Sequence, residues 1–185
     1  MQNIALHNER FNRSRRELLG IQEESSLEVL VILPGDLPPG KIKCRIVYSR
    51  EIESITFTPY ILKKLQSLQL IEDDFIDYAY KFHDRHPLEK LSQNITADDI
   101  LIVKNGFITD TSYANIVFWD GIKWLTPAWP LLAGTMRSKL LQEGKIQTEE
   151  IKKSDIRFFK SAKIINAMIG LEESPSIPVR NIILK

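Results

Sequence analysis

Two dipeptides, Asn105-Gly106 and Asp120-Gly121, constrain the fold of this chain more than anything else in it. Each belongs to the small set of sequences that turn one β-strand back onto the next, and apolar segments flank both. The surrounding residues predict about three or four antiparallel strands in the second half of the chain. Ile100–Val103 is a short apolar run leading into the first turn. Ile76–Phe82, rich in aromatic and β-branched residues, predicts an earlier strand, and Ile164–Ala167 predicts a late one before a break at Gly170. Between them, Thr135–Gln142 predicts a helix that Gly144 closes.

The first part of the chain reads differently. Residues 8–19 set Phe11, Leu18 and Leu19 among arginines and end at Gly20, which predicts a short amphipathic helix. Ser25 followed by Glu28 is a capping-box pair opening a second helix over Leu27–Leu33, and Pro34-Gly35-Asp36-Leu37-Pro38-Pro39-Gly40 then forces a loop. Ile42, Cys44, Ile46 and Tyr48 alternate with polar residues, which predicts a half-buried strand, and Ser54–Thr58 predicts another. Ile61–Leu70 mixes helical spacing with extended flanks, so no element is assigned there. Acidic Glu72-Asp73-Asp74 separates two apolar stretches and marks the expected boundary. The expectation is an α+β protein, with a small α/β lobe over residues 1–72 and a β-rich lobe over 73–185.

Composition narrows the function. In 185 residues, 43% of them hydrophobic, 25 Lys+Arg stand against 24 Asp+Glu, a net charge of +1. That balance disfavours unspecific binding to nucleic acid or an anionic membrane. Cys44 stands alone and the three histidines lack metal-site spacing, so neither a disulfide framework nor a zinc centre is expected. No apolar run approaches transmembrane length and no leader is evident at the start, so a cytoplasmic protein is expected.

Four features carry chemistry. Lys81, inside Tyr78-Ala79-Tyr80-Lys81-Phe82, would become a better nucleophile if an apolar strand stripped its hydration, although strand alternation also allows it simply to face water. Gly134-Thr135-Met136-Arg137 opens a predicted helix, where unpaired N–H groups and the dipole suit an anion such as phosphate, or merely need a cap. Asp110 follows the first hairpin among small polar residues and could hold a protonated ring nitrogen or close a turn. The cluster Arg10, Arg13, Arg15 and Arg16 offers forked guanidinium groups for phosphate, though such a run also suits a solvated helix face. An amine nucleophile, a phosphate cradle, a carboxylate for a pyridinium and an arginine are together the parts that hold pyridoxal 5'-phosphate.

In order and wording, the segments His7-Asn8-Glu9-Arg10-Phe11, Tyr80-Lys81 with Asp84-Arg85, Gly106 through Asn115, Thr126-Pro127, Leu132 through Arg137 and Ile165-Asn166-Ala167-Met168 resemble the class IV aminotransferases. These are the fold-type IV pyridoxal-phosphate enzymes, which include branched-chain and D-amino-acid aminotransferases and aminodeoxychorismate lyase. The resemblance implies that Arg10 binds the cofactor phosphate and that Lys81 is the Schiff-base lysine. Asp110 takes the place of a glutamate paired with the pyridine nitrogen. Thr135 and Met136 face the phosphate through their backbone N–H groups, and Asn166 approaches the same phosphate. It also implies a small α/β lobe, a larger β-rich pseudo-barrel lobe with the cofactor between them, and a homodimer.

Departures accompany the match. The chain opens almost on the His-Arg segment, where relatives carry a preceding strand, and its tail past Val179 is brief. Arg85 and His86 stand where several relatives place a tyrosine, and the interval from Lys81 to Asp110 is shorter than usual. Arg45, on the predicted strand Lys41–Ser49, is a candidate for a substrate carboxylate, the alternative being an outward-facing strand arginine. The expected function is transamination of a small amino substrate, with 4-amino-4-deoxychorismate lyase activity or a non-catalytic relative as alternatives.

Overall fold

The computed structural model describes residues 2–184 and divides the chain into two compact units, one ending at Leu62 and the other beginning at Lys63. In the first unit, α1 (Ile4–Leu19) begins earlier than its amphipathic pattern suggests and ends on Gly20, whose left-handed backbone (φ 70°) lets its N–H reach the carbonyls of Arg15 and Arg16. Helix α2 (Leu27–Leu30) is a single turn, shorter than the expected Leu27–Leu33. Its N-cap residue is Ser26, and Glu28 accepts hydrogen bonds from Ser26 and Asn8 rather than closing a capping box with Ser25. Strands β1 (Ile42–Tyr48) and β2 (Ile52–Pro59) form the antiparallel hairpin that the alternation predicts, and Phe11 of α1 packs edge-on against Tyr48 with ring centroids 4.6 Å apart.

The second unit is built on β3 (Leu68–Glu72), α3 (His86–Leu91), β4 (Asp99–Lys104), β5 (Phe107–Thr111), β6 (Asn115–Trp119), β7 (Trp124–Pro127), α4 (Thr135–Gln142), β8 (Gln147–Glu149), β9 (Ser161–Ile165), β10 (Ile177–Pro178) and β11 (Ile182–Ile183). These strands make a nine-stranded sheet in the order β10-β9-β6-β5-β4-β3-β11, with β7 pairing both β6 and β8. Pairings β3–β4, β3–β11 and β7–β8 are parallel, so the sheet is larger and more mixed than the expected antiparallel set. The division also falls ten residues before the acidic stretch, because β3 belongs to this sheet through its register with β4, from Leu68 opposite Asp99 to Glu72 opposite Val103.

Both hairpin signals act as predicted. Asn105 (φ 52°) and Gly106 (φ 80°) join β4 to β5 with the two positive φ values that a two-residue turn of matching twist requires. At the second turn, Asp120 accepts from the backbone N–H groups of Ile122 and Lys123, and Trp119 and Trp124 face each other across the strands. A Cβ at Gly106 meets nothing within 4 Å, so Gly106→Ala pays only for the left-handed backbone. It is expected to cost about 1 kcal/mol, read as a lower urea midpoint with unchanged slope.

The core lies along β4, β6 and β9, where Ile100, Leu101, Ile102, Val103, Ile116, Val117, Phe118, Ile164 and Ile165 are essentially inaccessible. The unbroken apolar run of β4 reflects burial on both faces. One expected strand is absent. Residues 76–82 form a loop, because Asp73 accepts from the N–H groups of Phe75 and Ile76 and Asp77 accepts from that of Ala79. These Asx turns satisfy the backbone without a neighbouring strand. The apolar pattern there has another cause: Ile76 and Tyr78 turn inward against Leu88, Ile100 and Ile102.

Candidate active site

Strand β6 changes neighbours along its length. Its first residue, Asn115, pairs with Asp110 of β5, whereas Phe118 and Trp119 pair with Leu125 and Trp124 of β7. Asp110 therefore lies where two strands part. Its carboxylate is buried, with Oδ1 accepting from Asn115 Nδ2 at 2.7 Å and Oδ2 from the Leu132 N–H at 2.9 Å. Burial raises its pKa to about 6, against opposing contributions from Leu132, Asn115 and the charge of Arg137. Each carboxylate oxygen keeps capacity for a further hydrogen bond, so the group suits a cationic N–H donor.

Residues 132–134 lead from that carboxylate into α4. Gly134, at the N-cap, brings no side-chain acceptor, and the first turn contains no acidic residue. Thr135, Met136 and Arg137 are all buried there. Arg137 adds positive charge at the helix end where a cation is least compensated, and it is held by Thr126 Oγ1 at 3.3 Å and the Pro127 carbonyl at 2.9 Å. Burial lowers its pKa, which the charge of Asp110 partly offsets. An electropositive helix start of this kind favours an anion. Arg137→Met is expected to cost about 1–3 kcal/mol in urea denaturation, because the Pro127 carbonyl loses its buried donor. The same substitution moves the Asp110 titration upward, since a neighbouring cation is removed.

Two further segments border this region. β9 pairs with β6 so that Ile165 lies opposite Asn115, and the chain then turns at Asn166–Ile169. Asn166 closes that turn with reciprocal backbone bonds to Ile169 and accepts from the Met168 N–H at 2.8 Å. Ile165 and Met136 share one apolar cluster, which sets this turn beside the start of α4.

Lys81 is exposed at the centre of a γ-turn, in which the Phe82 N–H bonds the Tyr80 carbonyl at 2.9 Å. Of the two readings of Lys81 the structure has the one that faces water, but from a turn and not from the expected strand. Tyr78 braces the turn, donating to the Phe82 carbonyl at 3.0 Å while its ring is buried in the cluster that Leu131 and Leu132 also join. Arg85 donates to the Ser112 carbonyl at 2.7 Å and so ties the lysine segment to the turn between β5 and β6. In the sequence Arg85 stands out as part of the Asp84-Arg85 segment that resembles the family and as a residue found where several relatives place a tyrosine, and nothing local signals this long-range bond.

The second unit thus gathers Asp110, Thr135, Met136 and Asn166 around the end of β6 and attaches the Lys81 turn to that end through Arg85. Arg10 and Arg45 belong to the first unit. Arg10 lies half-buried on α1, 3.5 Å from His7 Nδ1, and Arg45 is exposed on β1 opposite Thr56. Within the arginine cluster, Arg15 has a structural task, reaching Asn12, the Glu23 carbonyl and Ser25 while stacking over Phe11. Among the described residues no group of three metal-ligating side chains converges, and no helix is long and apolar enough to cross a membrane.

This chain belongs to the class IV amino-transferase family, whose sequence profile matches residues 80–180. The family depends on pyridoxal phosphate and acts on small amino substrates. An uncharacterized protein of Haemophilus influenzae is 44% identical over 177 residues, covering 92% of this chain and 93% of its own. The crystal structure of a putative 4-amino-4-deoxychorismate lyase from Haemophilus somnus superposes with a TM-score of 0.81 at 32% identity, covering 92% of this chain and 91% of that one. A fold IV transaminase from Curtobacterium pusillum shares the fold, with a TM-score of 0.71 at 15% identity over 95% of this chain and 71% of that one. The expected fold-type IV architecture is therefore present.

Proposed function

We propose that this protein is a pyridoxal-phosphate-dependent enzyme of aminotransferase type acting on a small amino acid or a similar amine. The observation that carries the reading is the buried Asp110 carboxylate beside an uncapped, cationic helix start: one group suits a ring N–H⁺ and the other a phosphate. The residues present fit the cofactor. Asp110 would keep the ring nitrogen protonated, while the backbone N–H groups of Thr135 and Met136, with Asn166, would hold the phosphate; Arg10, of the first unit, joins that role on the family resemblance alone. When bound, pyridoxal phosphate supplies the electron sink that lets a bond at the substrate Cα break heterolytically. Lys81 would anchor the cofactor through Nζ and then move a proton at that Cα, its backbone held by the γ-turn and by Arg85. Arg45 would bind the substrate carboxylate. The working unit in this reading is a homodimer, as the family resemblance implies.

A second reading, elimination of pyruvate from aminodeoxychorismate to give 4-aminobenzoate, is favoured by the similarity to the Haemophilus somnus structure. One experiment tests both. The chain is incubated with pyridoxal phosphate, reduced with borohydride and mapped by peptide mass spectrometry, with Lys81 as the expected labelled residue. Keto acid formed from amino acids with an acceptor then supports transamination, and 4-aminobenzoate formed from aminodeoxychorismate supports the lyase. Absence of label on any lysine would overturn the proposal.

A further inference from the structure

The meeting of β5 and β6 at Asp110 and Asn115 has a geometric consequence. Directly opposed residues project from the same face of a sheet, so the two side chains must contend for one place. Asn115, 5% exposed, uses Nδ2 twice, donating to Asp110 Oδ1 at 2.7 Å and to the Leu132 carbonyl at 2.8 Å. Its Oδ1 lies so near the chain that a Cβ at residue 134 would stand 2.1 Å from it. A flexible side-chain end could move aside, but this one is buried and fixed through both Nδ2 protons. One amide therefore touches the carboxylate, the loop at Leu132 and the N-cap of α4.

We propose that Asn115 is a positioning residue that sets the Asp110 carboxylate and the first turn of α4 in one fixed relation, a role whose catalytic meaning rests on the function proposed above. Residue 134 is glycine because the Asn115 amide occupies the space a side chain would need. The carboxylate and the anion-binding helix start then cannot shift independently, which keeps both ends of one ligand in register.

The test uses the full chain with carboxyl-labelled aspartate, following Asp110 by NMR through its pH titration, with the signal assigned by its loss in Asp110→Asn. Affinity for pyridoxal phosphate is measured alongside. Asn115→Ala removes a hydrogen bond to the ionised carboxylate, so the Asp110 midpoint should rise and affinity should fall about tenfold or more. Gly134→Ala pushes the amide off the carboxylate from the other side and should shift both readouts in the same direction. In the double variant no amide remains to be displaced, so the second substitution should add nothing to the first. An Asp110 midpoint unchanged in a folded Asn115→Ala, or effects of the two substitutions that simply add, would overturn the role. Should Asn115→Ala not fold, Gly134→Ala decides alone: an upward midpoint supports the coupling and an unchanged one removes it. Coupled shifts in a chain that takes up no pyridoxal phosphate would uphold the clamp and defeat the proposed function instead.

Discussion

Lys81→Ala is expected to reduce turnover at least about a thousandfold while changing stability by no more than about 0.5 kcal/mol. The two halves of that expectation have separate structural causes. The side chain is exposed, and the turn beneath it is held by other groups: the Phe82 to Tyr80 backbone bond, the Tyr78 hydroxyl on the Phe82 carbonyl, and Arg85 on Ser112. Removing the amine leaves that frame in place. In the role proposed for Lys81 the chemistry would have no such reserve, because a lost nucleophile and proton carrier is not replaced by positioning groups. Steady-state kinetics, urea denaturation and borohydride labelling on one preparation check the expectation. A variant that turns over normally, or still carries reducible cofactor on residue 81's peptide, would remove Lys81 from the proposed role.

Much of this was legible in the sequence where local chemistry decides the structure. Asn105-Gly106 and Asp120-Gly121 turn the chain because of their own backbone preferences, Gly20 ends α1 for the same reason, and the alternation over Ile42–Tyr48 is sufficient for β1. What failed was local pattern set by distant contacts. Ile76 and Tyr78 resemble strand residues because both are buried, but they are buried from a loop whose backbone Asp73 and Asp77 satisfy. Strand β3 escaped assignment because its partners β4 and β11 lie far along the chain and pair in parallel, which leaves no turn signal between them. At the site, Asp110 and the Thr135 helix start could be named as residue types in order. The bond that Asn115 makes to Asp110 could not, since it depends on β5 and β6 meeting at that one pair.

Asp110 should also make the stability of the cofactor-free chain fall as pH rises from about 4 to about 6. Its carboxyl has an ordinary pKa of 3.8 and a folded value of about 6, raised chiefly by burial. Below 3.8 both states hold the proton and the group contributes no difference. Between 3.8 and about 6 the unfolded chain has released the proton while the folded chain still binds it, so raising the pH favours unfolding. Above about 6 both are ionised and the loss is complete, on the order of 3 kcal/mol from this group alone. Urea denaturation across that window, compared with Asp110→Ala, isolates the slope: the parent loses stability relative to the variant as pH rises. Pyridoxal phosphate should reduce the slope, because a ring N–H⁺ against the carboxylate stabilises the ionised form and draws the folded pKa back down. A difference between parent and variant that is flat from pH 4 to pH 7 would mean that the carboxylate is not strained by its burial. A slope present in the cofactor-free chain and untouched by saturating cofactor would place the ring nitrogen elsewhere.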